Sequence, residues 1–161
     1  MTTSVLTSTT LLLGTAWTGT APGTSSTPSG TINSGSGTYI DLTTTATDAA
    51  ADFARAMQDG TTFGSGGYQT MLAGLQSGTL NITVFSDFAS GANMEKLFAI
   101  YQAGFVYFDL KPTSASRGPS NPSAVGQACA NSLSWAKVKA GDIPALQLSW
   151  PLSGAYTVLT S

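Results

Sequence analysis

A mainly β domain, a β-sandwich or open barrel with one helix laid against it, is the fold class predicted for this chain, and three observations predict it. Leu80, Ile82 and Val84 alternate with Thr79, Asn81 and Thr83, the two-residue period of a half-buried strand. Met94, Leu97, Phe98 and Tyr101 recur at the period of one helix face. Elsewhere short apolar or β-branched runs are cut by Gly, Pro, Asn and Ser too often for further long helices. The 161 residues suit one domain.

In chain order, residues 1–40 hold no charged side chain and are rich in Thr, Ser and Gly, with Pro22 and Pro28 in a turn-rich stretch. This composition predicts an arm and long loop over residues 1–38, in which Ser4–Thr7 and Thr10–Leu13 could pair as short strands, and a single sandwich domain over residues 39–161. Trp17 is too large and apolar for a solvated tail, so the arm is expected to dock on something. Tyr39-Ile40-Asp41-Leu42 predicts a strand. Residues 48–58 are open between two readings: Ala49, Phe53 and Met57 fall at helical spacing, and the same alanine-rich run suits a packed crossing loop. Gly64-Ser65-Gly66-Gly67 is a turn by composition and lacks the spacing of a phosphate-binding loop.

Strands are then predicted at Tyr68–Leu72 and Ser77–Phe85, separated by a turn at Gly74. The helix covers about residues 92–103, capped by Ser90 or Asn93 and stopped by Gly104, with Met94, Leu97, Phe98 and Tyr101 as its packing core. Phe105–Lys111 is a strand, Pro112–Gly126 a loop, and strands follow at Gln127–Lys139, Ala145–Leu152 and Gly154–Leu159.

The chemistry available is narrow. With no histidine, a Ser-His-Asp triad, a Cys-His pair and any His-containing metal site are excluded. Cys129 stands alone between alanines and reads as a small buried residue. Glu95 precedes Lys96 on the helix, and seven aspartates are scattered, with Asp48 and Asp52 the one close pair. Nothing matches a calcium loop, so no catalytic residue, cofactor or metal is expected. Charged residues make up only 9%, and the net charge is -2 with no basic stripe, which gives no footing for sequence-specific nucleic-acid binding. No Lys or Arg precedes Arg55 and threonines interrupt the early apolar positions, so neither an export signal nor a membrane anchor is expected, and the protein is expected to stay in the cytosol unless an assembly carries it out.

Thr61-Thr62-Phe63-Gly64, Gly66-Gly67-Tyr68 and Ala73-Gly74-Leu75 are followed in order by Asp87-Phe88-Ala89, Lys111-Pro112, Asn121-Pro122, Gly141-Asp142 and Trp150-Pro151-Leu152-Ser153-Gly154. Over roughly residues 60–161 this succession resembles the major tail tube proteins of long-tailed bacteriophages, particularly those of actinobacterial hosts. The resemblance implies a β-sandwich with one flanking helix, copies joined in rings of six, and rings stacked into a virion tail tube that conducts DNA without reading it. It further implies assembly in the host cytoplasm with a tail tip or baseplate, a tape-measure protein and a terminator. Subunit contacts are then expected at the arm and at the loops near 48–67 and 112–126, carried by Trp17, Phe53, Phe63, Pro119, Asn121 and Pro122. The competing expectation is a carbohydrate-binding or adhesin module that stacks sugars on Trp17, Tyr39, Trp135 or Trp150.

Overall fold

The computed structural model describes residues 9–23, 28–89, 91–134 and 143–160. Among these, a five-stranded sheet is built from β1 (Thr10–Gly14), β4 (Tyr39–Asp41), β7 (Phe105–Lys111), β8 (Ser123–Cys129) and β10 (Thr157–Leu159), in the order β10-β8-β7-β1-β4. A three-stranded sheet runs β5-β6-β9, from β5 (Ala46–Asp59), β6 (Met71–Phe85) and β9 (Ala145–Pro151). A small ribbon pairs β2 (Trp17–Thr18) with β3 (Thr31–Ile32). All these pairings are antiparallel, and neither larger sheet closes into a barrel.

One core joins the layers. Leu11, Leu13, Ile40, Val106 and Phe108 from the first sheet meet Leu80, Ile82, Val84, Leu146, Leu148 and Trp150 from the second. Period-two alternation places these residues on inward faces: Ile82 is buried, while its neighbours Asn81 and Thr83 point to the opposite side of the sheet.

Several expectations need correction. Residues 48–58 are neither helix nor crossing loop but most of β5, whose ladder sets Ala49 opposite Ile82 and Ala51 opposite Leu80. Small side chains serve there because both positions pack against the core, so tertiary pairing overrides alanine's helical preference. The two strands expected on either side of Gly74 are one strand, β6. Gly74 is no turn: it lies opposite the register shift between Arg55 and Met57, where an added Cβ would come 3.1 Å from the Ala56 carbonyl oxygen. The strand expected at Gln127–Lys139 begins instead at Ser123 and ends at Cys129, which is half-buried, and residues 135–142, Trp135 included, lie outside the described residues. Its inward positions Ala124, Gly126 and Ala128 are small because they face Leu110, Phe108 and Val106 across the ladder. Residues 10–14 fall within the span expected as an arm, yet β1 is an interior strand held between β4 and β7. Ser4–Thr7 falls outside the described residues.

The helix α1 (Asn93–Ala103) ends on Gly104, whose left-handed backbone (φ 77°) lets its N–H donate to the Ile100 and Tyr101 carbonyls. Its N-cap is Ala92, without a side-chain cap, and Ser90 is outside the described residues. Asn93 instead points back: its amide donates to the Phe85 carbonyl and its Oδ1 accepts from the Asp87 N–H at 2.8 Å, tying α1 to the end of β6. The buried line of α1 is Met94, Leu97 and Ile100. Phe98 and Tyr101 are not core, each being 41% exposed, because the stripe read from spacing is wider than the surface that β4 and β7 offer. Leu97→Ala is therefore expected to cost about 2–5 kcal/mol in denaturant unfolding, and Phe98→Ala about half as much or less.

Candidate assembly surface

The β5–β6 ladder outruns the rest of its sheet. β9 pairs with β6 only from Thr79 to Phe85, whereas β5 and β6 stay paired out to Asp59 opposite Met71. Leu152 and Tyr156 still bond the Gly78 and Ser77 carbonyls, and from Arg55 opposite Gln76 onward a two-stranded ribbon projects roughly 20 Å past Ser77. An isolated two-stranded ribbon is marginal in water, so its composition is informative. The register shift sets Gly74 and Leu75 together opposite Ala56, and the alternation of β6 re-sorts beyond it. Met57, Ala73 and Met71 therefore continue the face of Phe53, which nearer the body is the core face. Leu72 and Leu75 continue the face that is polar at Thr79, Asn81 and Thr83. Exposed apolar side chains thus stand on both faces of the ribbon, Leu75 being 86% exposed.

The ribbon ends in a closed polar loop around a short 3-10 turn, Phe63–Ser65. Gly60 N–H donates to the Thr70 carbonyl (2.8 Å), Thr70 N–H to Thr61 Oγ1 (2.9 Å), and Thr62 N–H to Ser65 Oγ (3.0 Å). Gly66 and Gly67 take the positive φ values, 61° and 86°, that the reversal needs. Out of this loop Phe63 projects wholly into solvent and Tyr68 is 80% exposed.

Asp59 fastens the loop. Its Oδ1 accepts from the Thr61 hydroxyl (2.5 Å) and the Thr61 N–H (2.8 Å), and these bonds, the hydroxyl first, hold its carboxyl below the ordinary 3.8. Because the folded value is depressed, the contribution is present above 3.8 and is lost as pH falls through the lower folded value. Acidification below the ordinary carboxyl range is expected to shift the Thr61 and Thr70 amide NMR signals before those of Ile82. Asp59→Asn should abolish that early titration.

Other residues expected at contacts lie in different settings. Phe53 stacks on Tyr156, ring centroids 4.4 Å apart, and Tyr156 OH donates to the Ser77 carbonyl at 3.0 Å. Asn121 is buried and clips its own loop, accepting from the Thr113 N–H at 3.1 Å and donating to the Ala115 carbonyl at 2.8 Å, which leaves it little to offer a neighbour. Pro119 is exposed on that loop, and Pro122 lines an apolar cleft of about 350 Å³ with Ala49, Leu110, Pro112, Ala124 and Val158. Trp17 is half-buried against Tyr107 and donates from Nε1 to the Ser29 carbonyl at 2.9 Å. Trp150 is wholly buried, which removes it from any sugar-stacking platform. Tyr39 is half-buried, and burial, with Asp41 and Asp109 nearby, pushes its hydroxyl pKa up.

One constellation escaped sequence reading. Asp109 is buried on β7, where Arg117 Nη2 donates to its Oδ2 at 3.0 Å and Ser123 Oγ donates to its Oδ1. Arg117 Nη1 also donates to the Gly30 carbonyl at 3.1 Å, so one guanidinium joins β7, the 112–122 loop and the start of β3. The signal was an aspartate inside an apolar strand with an arginine eight residues later. The outward face of the three-stranded sheet carries Asp48, Asp52, Asn81, Thr83, Gln147 and Ser149. Asn81 there donates to Asp52 (2.7 Å) and accepts from Ser149 (2.8 Å). Among the described residues no group of three or more His, Cys, Asp or Glu is placed to hold a metal, and no helix is long and apolar enough to cross a membrane.

No protein-family model and no curated protein matches the chain. Solved structures do. A chain in the tail of an empty gene transfer agent particle, refined helically with C6 symmetry, is 17% identical with a TM-score of 0.60, covering 80% of this chain and 91% of that one. A chain in the virion of a native gene transfer agent particle is 14% identical with a TM-score of 0.58, covering 76% of this chain and 89% of that one. The fold, mainly β with one flanking helix, is thus of the kind found in such phage-like tails.

Proposed function

We propose that this chain is a structural subunit of a phage-like tail: a tube protein that joins in rings, of six by analogy with the C6 neighbour, and stacks into a hollow conduit for DNA. The observation that carries the reading is the projecting β5–β6 ribbon, whose exposed Met57, Met71, Leu72 and Leu75 need a partner surface. The free edges of β5 and β9 among the described residues add unpaired backbone groups that a neighbouring copy satisfies. Contacts between unlike surfaces close into rings or continue into filaments, according to the rotation between copies. The acidic, amide-bearing face around Asp48, Asp52 and Asn81 carries no cation among the described residues, and as a channel wall it would let phosphates pass without gripping them. The protein then resides in the virion tail, after assembly in the host cytoplasm with tip or baseplate, tape-measure and terminator proteins, and acts without catalysis.

Negative-stain microscopy of concentrated protein, and of the parent particle, is expected to show hollow tubes of stacked sixfold rings. Monomers at every concentration, together with particles lacking such tubes, would overturn the reading.

A further inference from the structure

An apolar cleft lies between elements of the two larger sheets: Ala49 of β5, Leu110 and Lys111 of β7, Ala124 of β8 and Val158 of β10 line it, together with Thr9, Pro112 and Pro122. Ala49, Leu110 and Ala124 pack directly against the core, so the cleft's floor is a part of the core with no cover among the described residues. Its volume, about 350 Å³, is at the small end for a ligand site and suits an aromatic side chain with its flanking backbone.

The chain carries such an aromatic group with nothing beneath it. Phe63 stands wholly in solvent on a loop that its own hydrogen bonds hold rigid, so little conformational freedom is lost when the ring docks. It cannot reach the cleft of its own chain. Ala49 lies ten residues down β5 from Asp59, roughly 30 Å of extended strand from the tip. A second copy can supply it.

Resting on the tube reading above, we infer that Phe63 at the ribbon tip of one copy seats in the β5–β7–β8–β10 cleft of another. The ring covers Leu110 and Ala124, in a lining that also includes Lys111. Knob and hole lie on different parts of the molecule, so each copy both gives and receives. The contact is head-to-tail and propagates.

Chemical cross-linking of full-length protein in a Cys129→Ser background tests this. Gly64→Cys, beside the knob where a Cβ is accommodated, combined with Val158→Cys and treated with a short bis-maleimide under tube-forming conditions, is expected to give a ladder of covalent oligomers. Gly64→Cys with Gln147→Cys, on the polar sheet face, should not. Phe63→Ala removes no contact within the subunit and should raise the concentration needed for assembly about tenfold or more. Val158→Trp, which fills the cleft, should do the same. Wild-type tubes accompanied by equally efficient Phe63→Ala tubes, or cross-links confined to monomers, would overturn the knob and assign the cleft to another occupant while leaving the tube reading intact. A wild-type protein that forms neither rings nor a ladder would overturn both.

Discussion

Met57→Asp combined with Leu75→Asp, one change on each face of the ribbon, is expected to yield a folded monomer that forms neither rings nor tubes. Both side chains are exposed in the subunit, so the change removes almost no native packing and the unfolding midpoint should move little, about 0.5 kcal/mol per site. In the proposed assembly the same positions would be covered. Each new carboxylate would then have to give up its water in an apolar contact, a cost of several kcal/mol repeated in every copy. Sedimentation should show a monomer at concentrations where the parent chain associates, with an unchanged circular dichroism spectrum. Gln147→Glu adds negative charge on the polar face instead and should leave assembly intact. Parent-like tubes from the double aspartate variant would show that the ribbon takes no part in assembly.

The largest effect on the subunit itself is expected at Arg117. Arg117→Ala leaves the Asp109 carboxylate, 4% exposed, with Ser123 but without its cation, and releases Gly30 and the 112–122 loop from β7. Breaking a buried pair in this way costs about 3–5 kcal/mol, a large share of the stability of an ordinary domain. Urea unfolding should show the loss as a lower midpoint with an unchanged slope. Removing both charges tests the cause. Asp109 lies across from Leu12 and Val125 in its ladders, so Asp109→Leu with Arg117→Met replaces the pair by apolar groups and should recover most of the loss. A double variant as weak as Arg117→Ala would mean that the guanidinium's bond to Gly30, and not the buried charge, is what matters.

How much of this was legible in the sequence depended on how each segment buries itself. The core half of β6 and the whole of β7 were readable because their inward residues are large and alternate with outward neighbours. Gly104 was readable as a helix stop because a left-handed residue was needed there. β5 and β8 were hidden for one shared reason. Their core positions hold Ala49, Ala51, Ala124, Gly126 and Ala128, which allow close approach, and small residues carry no β signal of their own. At Gly126 an added Cβ would come 2.7 Å from the Phe108 ring, a constraint set by a residue eighteen positions away. The candidate surface was legible only in pieces. Phe63 and the glycine-rich turn stood out, but the continuity of β5 and β6 that makes them the tip of one ribbon is a property of pairing. Asn121 was selected as a contact by its place in a turn, and its hydrogen bonding within that turn explains the same residue without a partner.

The interior place of β1 also bears on the order in which the protein comes into being on the ribosome. Leu12 finds Asp41 on β4 soon after emergence, but its other neighbour, Asp109 on β7, is made almost a hundred residues later, and β9, the partner of β6, emerges later again. The β5–β6 ribbon has no such delay, since its strands are consecutive, joined by the loop of residues 60–70, and pair locally. During synthesis the β5–β6 ribbon is therefore complete before β7, β8 and β10, which line the cleft proposed to receive it. On the proposed contact, a nascent chain could present a tip before it could accept one, because Val158 follows every residue of the ribbon in the sequence. If copies join as proposed, the direction of translation would withhold head-to-tail growth from chains that have not yet made their β10 segment.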